Sequence, residues 1–283
     1  MSLKDIARDW VKSVIGNHVG SNIRRYEWTT YVGELRHNML GAVAYLLPIE
    51  GTVVDANEQF TLVKVSANKF CVILTTLLSE PVAIGSKIAV KFYNLRRFDG
   101  SLADGSEDPS IDGCRTVMLT GSETLFPVKW EDRYLGVNEK FKDGYREIQN
   151  PYLRDLITQM EKIPVNGGMR RIVNVLVDAG AKDLDFVDPP EEKSADTPPA
   201  VVANVATKKF AGRVEIAYDR AADTYDIRLT PAAGGEAEDV SGIHFDELGD
   251  ALQLAIDDES WMEAKVTVLK AARKPKAAAA ASA

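Results

Sequence analysis

Phe60-Thr61-Leu62-Val63-Lys64-Val65-Ser66-Ala67-Asn68-Lys69-Phe70-Cys71-Val72-Ile73-Leu74 is the stretch on which the reading of the fold turns. Thr61, Val63 and Val65 alternate with Leu62, Lys64 and Ser66, the two-residue period of a strand with one buried face. Ala67-Asn68-Lys69 offers a tight reversal, and Phe70 to Leu74 runs back as a second strand. The same β-rich texture recurs on either side. Gly51 to Asp55 precedes the hairpin; Pro81-Val82-Ala83-Ile84-Gly85 then leads into Lys87 to Tyr93, followed by Arg115 to Thr120 and Leu125 to Trp130.

In layout this series of short strands resembles SH3-like and OB-like barrels, although no diagnostic motif accompanies it. The resemblance implies a small antiparallel β-barrel in the N-terminal part. Helices decorate it. Leu3, Ile6, Ala7, Trp10, Val11, Val14 and Ile15 recur at the spacing of an amphipathic helix, with Ser2 as N-cap and Gly16 at its end. A weaker helical pattern covers Thr30 to Leu40. Asn150 and Pro151 start another helix, whose Leu153, Leu156, Ile157, Met160 and Ile163 share a face, and Pro164 ends it. A further helix spans Met169 to Ala179 before Gly180, and both are expected to pack on the barrel.

Asp188-Pro189-Pro190-Glu191-Glu192-Lys193-Ser194-Ala195-Asp196-Thr197-Pro198-Pro199 reads as the start of an acidic, Pro-rich linker over residues 188–207. Beyond it, strands at Gly212 to Tyr218 and Thr224 to Leu229, a short strand near Val240, a helix from Phe245 to Ile256 and a strand from Ala264 to Leu269 give the order β-β-β-α-β. The expectation is therefore an α+β chain: a helix-decorated barrel over 1–187, the linker, a small module over 208–269 and a basic, Ala-rich tail over 270–283. A module this short sits near the lower size limit for independent stability, so a partner or a second copy would favour it.

The chain of 283 residues carries 34 basic and 42 acidic side chains, a net charge of -8. Segment by segment, the net charge is -1 over 1–187, -3 over 188–207, -8 over 208–269 and +4 over 270–283. An acidic module is repelled by phosphate backbones and suits basic protein partners. Nucleic acid, on this count, would be met by residues 1–187 or by the tail. The longest apolar run, Ala42 to Ile49, is too short to span a membrane, and the charged N-terminus does not resemble an export signal, so a cytoplasmic protein is expected.

No phosphate-binding glycine loop, dinucleotide fingerprint, zinc-protease helix or nucleophile elbow is found in the sequence. His18, His37 and His244 are scattered, and the two cysteines, Cys71 and Cys114, are too few for a thiolate zinc site. Cys71, inside an apolar run, reads as a small core residue. An unfamiliar enzyme would draw on Cys71, His37, Asp104 and Asp108. The five carboxylates between Asp99 and Gly113 lack the register of a calcium loop and read as a solvated turn. Met169-Arg170-Arg171, after two glycines, could seat an anion at a helix start, but the apolar run that follows favours two core helices joined by a turn. No cofactor or metal is expected.

Arg24, Arg25, Tyr26 and Trp28 interleave cations with aromatic rings, as a surface that stacks nucleic-acid bases does, and Arg96 and Arg97 beside Tyr93 and Phe98 form a second such cluster. Two functional expectations result. The leading one is a non-catalytic adaptor, of a kind that would suit a phage or plasmid accessory protein, whose acidic C-terminal module docks another protein. The alternative is a nucleic-acid-binding accessory protein that uses Arg24, Arg25, Tyr26, Trp28, Arg96 and Arg97.

Overall fold

The computed structural model describes residues 2–37, 43–104, 124–131, 133, 145–166 and 168–272. In chain order its helices are α1 (Leu3–Val14), α2 (Pro151–Lys162), α3 (Ile172–Asp178) and α4 (Leu248–Ile256). The strands of the first half are β1 (Glu27–Tyr31), β2 (Arg36–His37), β3 (Val43–Ala44), β4 (Ile49–Ala56), β5 (Phe60–Lys64), β6 (Lys69–Leu74), β7 (Lys87–Lys91), β8 (Val128–Lys129) and β9 (Arg146–Glu147). Those of the second are β10 (Lys182–Val187), β11 (Ala200–Ala206), β12 (Ala211–Asp219), β13 (Thr224–Pro231), β14 (Glu238–Ile243) and β15 (Lys265–Lys270). The fold is mixed α+β, and the chain divides into two compact units. Unit 1 comprises Met1–Glu34, Tyr45–Tyr93 and Trp261–Ala283; unit 2 comprises Leu35–Ala44 and Asn94–Ser260.

Unit 1 is built on the β5–β6 hairpin, in which Val63 pairs with Cys71 and Leu62 with Val72. Alternation sends Val63, Cys71 and Ile73 to one face, where Val53, Ile88, Val90 and Tyr31 complete a core. Phe60, Leu62, Phe70 and Val72 face the other way, onto Ala7 and Val11 of α1 and Ile15 just beyond its end, with Trp10 stacked on Phe60 at 5.7 Å between ring centroids. A capping box between Ser2 and Asp5 starts α1, as the sequence pattern requires. Gly51 in β4 could not carry a side chain, because a Cβ there would stand 2.6 Å from the Lys64 carbonyl oxygen.

The sheet order is β1-β6-β5-β4-β7-β15, with β1 parallel to β6 and the other neighbours antiparallel. This corrects the expected barrel. Among the described residues no ladder joins β1 to β15, so the sheet stays open. The physical reason lies at its far edge: the position a closing strand would take beside β7 is filled by β15, drawn from the other end of the chain. Over the described residues 30–37 the helix expected over Thr30 to Leu40 is likewise absent. Thr30 and Tyr31 finish β1, Gly33 turns the chain at φ +83°, and Arg36–His37 pairs with Val43–Ala44. The β-branched Thr29, Thr30 and Val32, with aromatic Tyr31 between them, favour the extended chain there. The strand expected at Arg115 to Thr120 and the distal part of the loop ending at Gly113 lie outside the described residues.

Unit 2 contains a five-stranded antiparallel sheet in the order β10-β11-β12-β13-β14. Phe186, Val201, Ile216 and Ile227 form one register row across it and are buried with Leu153, Leu156, Ile172, Leu176, Leu248 and Leu252 of α2, α3 and α4. The helices α2 and α3 thus pack on this sheet and not on the N-terminal one. The expected linker is also revised. Residues 191–193 form a short 3₁₀ turn, and 200–206 form β11, the second strand of the sheet. Its Ala and Val side chains are small enough to be buried on both faces at Ala200 to Ala203. Within the expected β-β-β-α-β module, β12, β13, β14 and α4 appear in order, but the last strand leaves to complete the sheet of unit 1.

Asn150 shows how tightly the Pro-rich stretch is held. Its side chain accepts from the Leu153 N–H to cap α2, while its amide donates to the Pro189 carbonyl and to Ser194 Oγ, each at 2.8 Å. Asp188 accepts from the backbone N–H groups of Gln149 and Asn150. These contacts order the residues that composition alone marks as mobile.

Candidate functional site

Arg24, Arg25 and Tyr26 lie in the extended segment leading into β1, an edge strand of the unit 1 sheet, and all three are exposed. Tyr26 and Trp28, two residues apart on an extended chain, project to the same side, with ring centroids 6.1 Å apart. Trp28 is opposite Phe70 and half-buried against the α1 core, which anchors the pair. Tyr26 keeps 37 % of its surface. Neither Arg24 nor Arg25 has an ion-pair partner among the described residues. Two unspent guanidinium groups beside a fixed aromatic pair can hold a phosphate and stack a planar ring.

Arg96 and Arg97 belong to unit 2 and are used differently. Arg96 donates through Nη1 to the Gly100 carbonyl at 2.6 Å, and its own carbonyl accepts from Thr124 Oγ1. The Arg97 N–H donates to the Ser101 carbonyl, closing the same bend. Asp99 is held below the ordinary carboxylate range, first by the Ser101 hydroxyl and further by backbone N–H groups and the nearby Arg97 charge. This second cluster therefore staples a turn.

Cys71 is buried at 2 % exposure in the unit 1 core. Asp104 sits at an exposed turn, His37 lies in β2, and Cys114 and Asp108 are outside the described residues. His18 Nε2 lies 2.9 Å from Asp55 Oδ2 and ties the end of the N-terminal helix to β4. Among the described residues no three His, Cys, Asp or Glu side chains converge to hold a metal ion, and no helix is long and apolar enough to cross a membrane.

The arginines after the glycine turn are consumed inside unit 2. Arg170 Nη1 donates to Asp257 Oδ2 at 2.7 Å and Nε donates to Asp178 Oδ2 at 3.0 Å, with all three side chains under a tenth exposed. Arg171 donates to the Glu161 carbonyl, while the Glu161 carboxylate, itself buried, accepts from Arg133 and from the Phe126 N–H. Sequence reading could not assign these pairings, because the partners of Arg170 lie at 178 and 257.

Counting charge by structural unit changes its meaning. Unit 1 carries 14 basic and 9 acidic residues, net +5; unit 2 carries 20 basic and 33 acidic, net -13. The N-terminal part looked neutral only because acidic residues of 94–187 were counted with it and the basic end of the chain was not. In unit 2, β14 is a sheet edge with five of its six residues exposed, including Glu238, Asp239 and Val240. Arg228 neutralises Asp239 through two hydrogen bonds of 2.7 and 3.0 Å, which hold that carboxyl low, whereas Glu236 and Glu238 have no cation partner among the described residues.

No known family model, curated protein or solved structure matched this chain.

Proposed function

We propose that the chain is a non-catalytic adaptor whose acidic unit 2 docks a basic surface of another protein. The observation that supports this reading is the separation of charge into a unit of net +5 and a unit of net -13 within one polypeptide. Self-repulsion disfavours gathering like charge in a compact unit, and a partner of opposite sign relieves it. The exposed β14 edge, with Glu236 and Glu238 unpaired, is the segment on which a basic extended strand could pair. Cross-linking in cells of the full chain against its Glu236→Gln/Glu238→Gln variant tests it. Loss of a basic protein from the variant's cross-links is the expected result; an unchanged set of neighbours refutes the reading.

A second reading, nucleic-acid binding by unit 1, is favoured by Arg24, Arg25, Tyr26 and Trp28 standing on the positively charged unit. Both readings can hold in one molecule, the acidic unit recruiting protein while the basic unit stays on nucleic acid. Anisotropy of labelled DNA and RNA with the full chain, before and after Arg24→Gln/Arg25→Gln, measures it. Salt-sensitive binding is the expected outcome, and none at low salt removes the reading.

A further inference from the structure

The face of the unit 1 sheet on which α1 packs at β1, β6 and β5 continues across β4, β7 and β15, where no helix of unit 1 packs on it among the described residues. Registration places the side chains there. Lys64 pairs with Thr52 and Thr52 with Lys87; Ala89 pairs with Glu50 and Thr267; Lys91 pairs with Lys265, and Lys270 with Lys87. The last two are lysines facing lysines on adjacent strands, and Lys87, Lys91, Lys265 and Lys270 are all exposed. Cross-strand partners bring Cβ atoms to about 5 Å, where like charges repel and destabilise the ladder. Only Glu50 answers them, 3.3 Å from Lys87. Lys91, Lys265 and Lys270 have no carboxylate partner among the described residues.

Lysines on an edge strand commonly guard against aggregation, which accounts for Lys265 and Lys270. It does not account for Lys87 and Lys91, which lie on the inner strand directly opposite them. The two rows are four residues apart along β7, about 13 Å at the usual strand rise. That separation is close to the width of the major groove of duplex DNA, about 12 Å, across which phosphates face one another. We infer that Lys87, Lys91, Lys265 and Lys270 form a backbone-binding site for duplex DNA, one pair of ammonium groups on each side of the groove. The inference rests on the nucleic-acid reading of unit 1 and assigns that binding to residues at the sheet edge opposite Arg24 and Arg25.

Anisotropy of a labelled mixed-sequence duplex, titrated with the full chain across a salt series, tests the inference. Removing two phosphate contacts in Lys91→Gln/Lys265→Gln should weaken binding and flatten the slope of log affinity against log salt by about 2. Lys91→Glu separates binding from folding, because it places a carboxylate opposite Lys265. It should raise the melting temperature while weakening duplex binding further. If duplex binds but these lysine variants leave affinity and slope unchanged while Arg24→Gln/Arg25→Gln lowers them, the inference is overturned and the nucleic-acid reading survives. Lysine-dependent binding of single strands or of a poly-glutamate peptide without duplex binding also overturns it. Absence of binding to any nucleic acid at low salt removes both.

Discussion

Replacing Arg170 with Met probes what holds unit 2 together. Arg170 is buried between Asp178 and Asp257, and Met keeps an apolar stem of similar reach while deleting the charge. At a separation of about 4 Å and an effective dielectric of about 20, each ion pair is worth about 4 kcal/mol before desolvation. Removing the shared cation leaves two carboxylates under a tenth exposed and repelling each other. Breaking a buried pair from one side costs about 3–5 kcal/mol, so a loss of about 4 kcal/mol is expected. For a unit of this size that lowers the melting temperature by about 8–16 °C. The pH dependence fixes the cause. In the variant, protonation relieves the uncompensated charge of the fold, so the folded state binds more protons than the unfolded chain and the deficit narrows as pH falls below neutrality. Urea denaturation followed by circular dichroism at several pH values reads both quantities. A deficit under about 1 kcal/mol, or one indifferent to pH, would show that the cluster is not the electrostatic clasp argued from its geometry.

Asn150→Ala should cost about 2–3 kcal/mol by denaturant midpoint, combining a lost helix cap with an unsatisfied Pro189 carbonyl and Ser194 hydroxyl. Asn150→Asp keeps the cap acceptor but loses the amide donors, and is expected to be destabilised more at neutral pH than in mild acid. Gly51→Ala should cost about 1–3 kcal/mol in the unit 1 transition, since the methyl group meets both the Lys64 backbone and the buried Val63 side chain of β5. Carboxyls of Asp5, Asp99, Asp185 and Asp239 are held low in the fold, by the Ser2 hydroxyl, the Ser101 hydroxyl, the Phe186 N–H and Arg228 respectively. Their stabilisation is present above about pH 4 and drains away as pH falls through the lower folded values, which a urea series into acid will show. Tyr31, by burial, and Tyr218, by its bond to Asp223, are pushed up to about 12. The fold therefore loses their contribution as pH rises from about 10; Tyr225 is raised as well, chiefly by burial, and an ultraviolet titration should find these three tyrosines ionising late.

Local signals in the sequence were translated faithfully. The Ser2 capping box, the Asn150-Pro151 helix start and the alternation through Phe60 to Leu74 each act over a few residues, and each appears where its chemistry places it. What escaped reading was pairing over long separations. Nothing near Lys265 to Leu269 signals that its partner is β7, and nothing near Arg170 points to Asp257. Pro-Pro at 198–199 suggested a continuing tether, although those prolines merely precede a strand of small apolar residues. The candidate site was legible at Arg24, Arg25, Tyr26 and Trp28, where order along the chain is also order in space. Arg96 and Arg97 looked equivalent only because composition does not record that the Arg96 guanidinium is spent on the Gly100 carbonyl and that the Arg97 backbone N–H closes the same bend on Ser101.

The chain leaves unit 1 after Tyr93 and regains it at Trp261, whose rings meet edge-on at 4.7 Å between centroids. A ribosome therefore delivers five strands of the six-stranded sheet before the segment Asn94–Ser260 and the sixth only after it. Throughout synthesis of the intervening segment, β7 offers a bare edge carrying Ile88 and Val90, a template for mispairing between nascent chains. A premature stop just upstream of Trp261 would thus injure the unit that was translated first, and such a product is expected to need chaperone protection or to be degraded.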